Sequence, residues 1–336
     1  MTQQDYKGIW VFAEHEDGVI SGTTFELLAK SADLKAKLGG TDEITAVILG
    51  DAVSGLADRL FAGGAEKVIA AENDNLKEYS ARPYAAVMTE LAEKYRPSIF
   101  LFPASPQGRD VAPRVMCNLR TGLTADAIDL DVDEEGVFVQ TTPNFGGNIL
   151  SHICIREKRP QMVTVHPKVF APITPIEGAK GELIIEKVSV EADDCYTVIS
   201  TEKRVFEGKP IADCGVLVSG GRGIKSEEDL AMLGELAELL GGELASSRPL
   251  VDCGWLPHEK QIGQSGTTVK PDFILNVAIS GSVQYLAGMQ NAKCIMSINH
   301  VDGAPIWDVS HYGAAADYSK LIPAVISEIK ARRESR

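Results

Sequence analysis

The sequence predicts an α/β protein of two domains: an N-terminal doubly wound α/β domain with an antiparallel extension, and a C-terminal parallel-sheet domain that binds a ligand. Three observations predict this. Apolar runs alternate with helix-period segments through the first 119 residues, the signature of parallel strands joined by crossover helices. The same rhythm restarts near Cys214, after a polar stretch. A chain of 336 residues is also longer than one hydrophobic core comfortably serves.

Taken in order, Gly8–Ala13 reads as a strand, and Phe25, Leu28, Ala32 and Leu38 mark one face of a helix. Ile44–Leu49 is the second strand, followed by a short helix around Leu56–Phe61 and a strand at Lys67–Ala71. Tyr84–Tyr95 is helical, Ser98–Pro103 an apolar strand, and Gly108–Leu119 helical again. From Ala127 the pattern becomes strands separated by turns: Ile128–Val132, Val137–Thr141, Ile149–Ile155, Met162–Val165 and Leu183–Val190. These are expected to form the antiparallel extension. Residues 1–200 then make the first domain, 201–212 a linker centred on the polar Ser200–Lys209, and 213–336 the second domain.

In the second domain Cys214–Ser219 reads as a strand and Gly220–Gly223 as a turn. Ser226 with Asp229 is a capping-box start for a helix over Leu230–Leu240. An irregular stretch from Ser246 to Gly266 precedes a strand at Phe273–Ile279 and a helix from about Ser282. A strand at Cys294–Ile298 and a final helix at Ser319–Arg332 complete it. There is no internal repeat or low-complexity tract.

Composition narrows the function. Net charge is −14, which disfavours nucleic acid because its phosphates would be repelled. No apolar run reaches membrane-spanning length. The N-terminus carries neither a basic segment nor an apolar core, so a cytoplasmic bacterial protein is expected. The cysteines at 117, 154, 195, 214, 253 and 294 contain no C-x-x-C pair, which argues against zinc and iron–sulfur sites. Most of them are expected as reduced core residues. No G-x-S-x-G elbow accompanies the histidines, and His152 and His166 read as structural.

Four loops of the second domain have the chemistry of ligand contacts. Ser219-Gly220-Gly221-Arg222-Gly223 follows a strand and precedes a capped helix, which suits an anion. Ser226 occupies the third glycine of G-x-G-x-x-G, so the turn is either structural or a phosphate site, and Arg222 favours a ligand. Arg248 is expected in extended geometry because Pro249 follows it; it then either forms a surface salt bridge or lies over a flat ring. Gln261-Ile262-Gly263-Gln264-Ser265-Gly266 offers amides, a hydroxyl and close backbone approach in one short loop. Ser280-Gly281-Ser282 ends a strand and opens a helix. Asn299 and Asp317 lie at strand-to-helix junctions, as ordinary caps or as ribose and adenine contacts. Gly108-Arg109-Asp110, in the first domain, is an anion site, a packing contact or a subunit contact.

These residues resemble a known family. Ser247-Arg248-Pro249, Gly254-Trp255-Leu256-Pro257 and Gln261 through Pro271 look like the signature of the electron transfer flavoprotein α subunit. Ile279-Ser280-Gly281, Gln284 through Met289, Ile298-Asn299, Ala304-Pro305-Ile306 and Asp317 extend the likeness. In the first half, Gly108-Arg109-Asp110 and Thr121 through Asp126 carry it. The resemblance implies FAD held by the second domain, and a first domain of the adenine-nucleotide-hydrolase type in contact with a β subunit. It implies Arg248 against the flavin ring, favouring its anionic forms, and Ser265 hydrogen-bonded near N5. Gln261, Ile262, Gly263 and Gln264, with Ser280, Gly281, Ser282, Val283 and Gln284, would hold the ring and pyrophosphate. Arg222 and Ser247 would reach the phosphate and ribityl region, and Asn299, Asp317 and Tyr318 the adenosine end. Tyr285 stands where many members of the family have histidine; it can donate a hydrogen bond to the flavin edge but carries no positive charge.

The function so implied is an electron carrier between NADH or an acyl-CoA dehydrogenase, of the butyryl-CoA type, and a downstream acceptor. In bifurcating members NADH and ferredoxin or flavodoxin take part through the complex. The linker would let the FAD domain swing between partners. Two other readings stand beside it: a stand-alone nicotinamide-dependent dehydrogenase, which needs a proton-transfer residue at the ring, and a non-catalytic nucleotide-binding module.

Overall fold

Short apolar runs rich in valine and isoleucine become strands in the N-terminal unit, and the helix-period segments between them cross over its sheet. The computed structural model describes residues 5–144, 149–193, 195, 198–201 and 209–334. The chain divides into two compact units, residues 1–202 and 203–336. Most of the expected linker, residues 202–208, lies outside the described residues.

In the first unit the elements are β1 (Ile9–Phe12), β2 (His15–Glu16), β3 (Val19–Ile20), α1 (Gly22–Lys37), β4 (Ile44–Gly50), α2 (Ala57–Ala62), β5 (Lys67–Glu72), α3 (Ala81–Tyr95), β6 (Ile99–Pro103) and α4 (Pro106–Leu119). They are followed by β7 (Gly122–Ala127), β8 (Asp129–Val132), β9 (Phe138–Asn144), β10 (Ile149–Ile153), β11 (Gln161–Val165) and β12 (Glu182–Lys187). Seven of the strands form a parallel sheet in the order β12-β5-β4-β1-β6-β11-β7. Successive side chains leave opposite faces, so Ile9 and Val11 pack with Leu27 and Leu28 of α1. Trp10 and Phe12 pack on the other face with Met88 of α3 and Val111 of α4. Each such fully buried aliphatic side chain contributes about 1.5–3 kcal/mol of transfer free energy.

The expectation of one antiparallel extension from Ala127 onward is only partly met. β8, β9 and β10 form a three-stranded antiparallel sheet. β11, however, lies parallel between β6 and β7, and β12 pairs parallel with β5 at the edge of the main sheet. All five residues of β11 are buried, as a strand covered on both faces requires. The cysteine expectation is corrected too: Cys117, Cys195 and Cys253 are exposed, Cys154 and Cys294 half-buried, and only Cys214 buried. An apolar neighbour in sequence does not place a residue on the inward face of its own element.

The second unit contains β13 (Val216–Gly220), α5 (Glu227–Leu239), β14 (Glu243–Ser246), α6 (Arg248–Asp252), β15 (Phe273–Val277), α7 (Val283–Met289), β16 (Ile295–Asn299), β17 (Tyr312–Ala315) and α8 (Tyr318–Glu334). Its five strands are parallel in the order β14-β13-β15-β16-β17. Leu217, Ile274 and Ile295 pack with Met289 of α7 on one face. Val218, Leu275 and Ile298 pack with Leu233 of α5 and Ile322 of α8 on the other. Two strands, β14 and β17, are short and were not anticipated, and α5 starts three residues before the expected Leu230. Among the described residues no helix is long and apolar enough to cross a membrane, and no group of His, Cys, Asp and Glu is placed to hold a metal ion.

Gly108-Arg109-Asp110 makes contacts within its own unit. Arg109 donates to both carboxylate oxygens of Asp126, at 3.0 and 3.1 Å. Asp110 accepts from Arg114 and from Tyr79. Gly108 donates its N–H to Ser105, the N-cap of α4, and a Cβ there would stand 1.8 Å from the Pro103 carbonyl oxygen. Gly108→Ala is therefore expected to destabilise the N-terminal unit by about 2 kcal/mol or more, since backbone rather than a flexible side chain must move. Urea unfolding followed by circular dichroism measures this; wild-type stability would show that the β6–α4 turn relaxes freely.

Candidate functional site

The strand order of the second unit reverses at β13, with β14 on one side and β15, β16 and β17 on the other. Loops leaving the carboxyl ends of β13 and β15 diverge in opposite directions, which opens a crevice at that end of a parallel sheet. A cleft of about 460 Å³ lies there, within the usual range for small-molecule sites. Its wall is built from Arg222 after β13, Ser247 and Arg248 after β14, and the loop Gln261–Ser265. Ser280, Gly281 and Ser282 after β15, with Gln284 and Tyr285 of α7, complete it. The structure thus gathers thirteen of the seventeen residues expected from sequence around one cavity, across four loops far apart in the chain.

Val283, Asn299, Asp317 and Tyr318 do not line the cleft. Val283 is exposed as the first residue of α7. Asn299 donates to the Ile279 carbonyl at 2.8 Å and accepts from the Val301 N–H, so it holds the cleft floor from beneath. Asp317 accepts from the N–H and hydroxyl of Ser319, and these bonds hold its carboxyl below the usual range. Tyr318 is buried, donates to Asp229 at 2.8 Å and accepts from the Lys225 N–H. Pro249, Asp252 and Ile279 do line the cleft and were missed. For Asp252 a signal was present, because it follows Arg248 by four residues.

The glycine turn after β13 is required by packing. A Cβ on Gly221 would lie 2.2 Å from the Ala278 carbonyl oxygen, and Gly221 and Gly223 donate N–H groups to Val277 and Ala278. Ala278 itself has φ +55°, a left-handed conformation costing an alanine about 1–2 kcal/mol. The helix-start argument for an anion at this turn does not hold. α5 begins at Glu227, its first turn carries Glu227, Glu228 and Asp229, and Ser226 already caps it through the Asp229 N–H. What remains for an anion is the Arg222 side chain, which is exposed and has no partner among the described residues.

Arg248 is not extended. It opens the short helix α6, whose first turn tolerates Pro249 because N–H groups there have no intrahelical partner. Its Nε donates to Asp252 at 3.2 and 3.4 Å, a pair largely exposed to water. Ser247 takes the N-cap position, yet its hydroxyl makes no cap bond and stays available to the cleft.

The loop Gln261–Ser265 is fixed from inside. Gln261 is buried and its amide donates to the Ser265 hydroxyl at 3.0 Å, while His258 meets the Ser265 carbonyl at 3.0 Å. Ile262 is a core residue whose N–H donates to the Ser246 carbonyl. Gly263 packs against the Gln284 carbonyl, where a Cβ would approach to 2.9 Å, and the Gln264 N–H donates to that same oxygen. Gln264 and Ser265 are left exposed toward the cleft.

Tyr285 departs from expectation. It lines the cleft, but its hydroxyl turns into the domain, 2.6 Å from Asn276 Oδ1 and 2.8 Å from Ser219 Oγ. Burial pushes its phenol well above the ordinary tyrosine range. In the unfolded chain this group loses its proton near pH 10, whereas the folded protein retains it. Its contribution to stability is therefore full below about pH 10 and is lost as pH rises beyond. Tyr285→Phe is expected to make the stability loss between about pH 9 and 11 shallower, though Tyr84 and Tyr318, each raised to about 12, keep part of it. Denaturant unfolding across that range decides it, and an unaltered slope would refute the assignment.

Comparison with known proteins agrees with this geometry. Residues 9–193 match the electron transfer flavoprotein domain, and residues 210–290 the electron transfer flavoprotein FAD-binding domain. The chain is 41% identical to the electron transfer flavoprotein subunit alpha of Clostridium acetobutylicum, over 98% of this chain and 99% of that one. It is 40% identical to the same subunit of Megasphaera elsdenii, over 99% of both chains. It is also 38% identical to the lactate dehydrogenase (NAD+, ferredoxin) subunit LctC of Acetobacterium woodii, over 98% of this chain and 79% of that protein. The cofactor is FAD, and the chain belongs to the electron transfer flavoprotein α-subunit family.

Proposed function

We propose that this chain is the FAD-holding half of a cytoplasmic electron carrier that works with an electron transfer flavoprotein β subunit. It passes electrons between NADH or an acyl-CoA dehydrogenase of the butyryl-CoA type and a downstream acceptor. The observation that carries this reading is the composition of the cleft wall, which has two arginines and several hydroxyl and amide groups but no histidine among the described residues. Its one carboxylate, Asp252, is exposed and paired with Arg248. Such a wall can hold and polarise a cofactor but has no group suited to proton transfer at a substrate carbon, which a stand-alone dehydrogenase needs.

The residues present fit FAD. Arg222, without a partner among the described residues, suits a pyrophosphate, and the uncapped hydroxyls of Ser247 and Ser282 suit phosphate or ribityl oxygens. Ile262, Ile279 and Pro249 offer an apolar side for a flat ring. Bound FAD supplies the redox chemistry, accepting and releasing electrons singly or in pairs. The protein's part is electrostatic. Arg248, aimed by Asp252, places positive charge where negative charge develops, and Ser265, held by Gln261, presents a hydroxyl to the ring. The relative named for NAD+ and ferredoxin supports an assembly that takes electron pairs from NADH and divides them between ferredoxin or flavodoxin and the acyl-CoA dehydrogenase. Two FAD per heterodimer would favour that dividing assembly, and one a simple shuttle.

Arg248→Ala is expected to lower the two-electron reduction potential of the bound flavin by about 30–60 mV, equivalent to losing one charge-assisted interaction. A redox titration of the purified heterodimer measures it. An unchanged potential with FAD still bound would remove Arg248 from this role, and a colourless protein that oxidises NADH alone would favour the dehydrogenase.

A further inference from the structure

A row of buried polar side chains crosses the second sheet beneath the cleft. Ser219 of β13 stands opposite Asn276 of β15, and Asn276 opposite Ser297 of β16, each at most 1% exposed. They share a face with Leu217, Ile274 and Ile295, so apolar core surrounds them. Tyr285 inserts its hydroxyl between Ser219 and Asn276. Asn276 Nδ2 donates to Ser297 Oγ at 3.3 Å, Ser297 Oγ lies 2.7 Å from Ser310 Oγ, and Ser310 donates to the Ile306 carbonyl at 2.7 Å.

The chemistry fixes the direction of every bond. An amide oxygen only accepts, so the phenol proton points to Asn276, and Ser219 donates to the phenol oxygen. At the far end Ser310 gives its proton to Ile306, so Ser297 must donate to Ser310 while accepting from Asn276. Donors run one way from Ser219 to Ile306, and the Asn276 amide joins the Tyr285 part of the row to the Ser297 part.

Both ends of this row touch the cleft wall. Next to Tyr285, the Gln284 carbonyl accepts from Gln264 and packs against Gly263, so the Gln261–Ser265 loop follows the position of α7. At the other end, the Ile306 N–H donates to the Ser280 carbonyl at 3.0 Å. Gly281, with φ +84°, lies so close that a Cβ would stand 2.4 Å from Ile306 N. An apolar row would pack a core at least as well, and an unpaired member of a polar one is costly. The polar row links these two wall segments through Asn276, which joins Tyr285 on one side to Ser297 on the other.

We propose that Asn276 is a positioning residue for FAD, setting through Tyr285 and Ser297 the spacing between the Gln261–Ser265 loop and the Ser280–Gly281 turn. The inference rests on the FAD reading above. Its test uses the heterodimer carrying Asn276→Leu, Tyr285→Phe or both, with three readouts: the FAD dissociation constant, the absorption bands of bound flavin, and the melting temperature without FAD. Asn276→Leu, which takes from the phenol its amide acceptor and from Ser297 its donor, is expected to weaken FAD binding about tenfold or more and to shift the bands. Tyr285→Phe removes the other partner of the same bond, so the double variant should lose less than the product of the two single effects. A lower melting temperature with FAD affinity within about twofold of wild type and unshifted bands would overturn the proposal, as would single effects that multiply. If Asn276→Leu does not assemble, Tyr285→Phe decides alone, with weakened FAD binding and shifted bands expected and unchanged ones refuting the idea. A wild-type heterodimer that binds no FAD overturns the cofactor reading itself, and is told apart because no variant is needed to see it.

Discussion

The pairing of β13 with β15 is the constraint on which the second unit depends. Because the chain reverses its direction of travel across the sheet between these strands, the loops that leave them must part, and a crevice is unavoidable. What keeps that crevice narrow is contact of backbone with backbone. Gly221 lies against the Ala278 carbonyl, Gly263 against Gln284, and Gly281 against Ile306, each with too little room for a Cβ. These are distances between main chains, which cannot swing aside as side chains do. The strained φ of Ala278 belongs to the same arrangement, since its carbonyl must point at the glycine turn for β13 and β15 to end side by side.

On this rigid frame the charged groups are loosely held. The Arg248–Asp252 pair is largely exposed, and such pairs contribute between nothing and about 1 kcal/mol in water. Arg222 has no partner among the described residues. In a chain of net charge −14, two weakly committed cations at one cleft concentrate positive potential where an anionic cofactor would enter. Strong internal salt bridges would have defeated that arrangement, since a ligand would first have to break them. Division of labour follows from the physics: buried backbone supplies the shape, and exposed guanidinium groups supply the attraction.

The fold class, the restart of the α/β rhythm and most of the cleft wall were legible in the sequence, because strand period, turn glycines and loop polarity are local signals. The pairing of β11 and β12 was not, because a strand's period says which face it buries and nothing about which neighbour it joins. Arg248 was placed in extended backbone because the local bias before a proline competes with tolerance of proline in a first helical turn, and the tertiary setting chose the helix. Asn299, Asp317 and Tyr318 have the right chemistry for ligand contact, yet their polar groups already serve the domain's own loops. A sequence shows what a side chain can bond, whereas the fold decides which partners it meets.

Tyr285 makes the same point at the centre of the site. Read along the chain it is a polar group in a ligand-facing segment, but a phenol has a ring and a hydroxyl that can face different ways. Here the residue lines the cleft while its hydroxyl joins Ser219 and Asn276 inside the sheet. Turning the hydroxyl toward the cleft would leave the Asn276 carbonyl buried without a donor, at a cost of about 1–3 kcal/mol. The side chain is thereby held in one orientation by the core around it, and its hydroxyl is committed to the sheet. Any stabilisation of negative charge on the flavin must then come from groups outside this core, and Arg248 is the cation that lines the cleft with a partner to aim it.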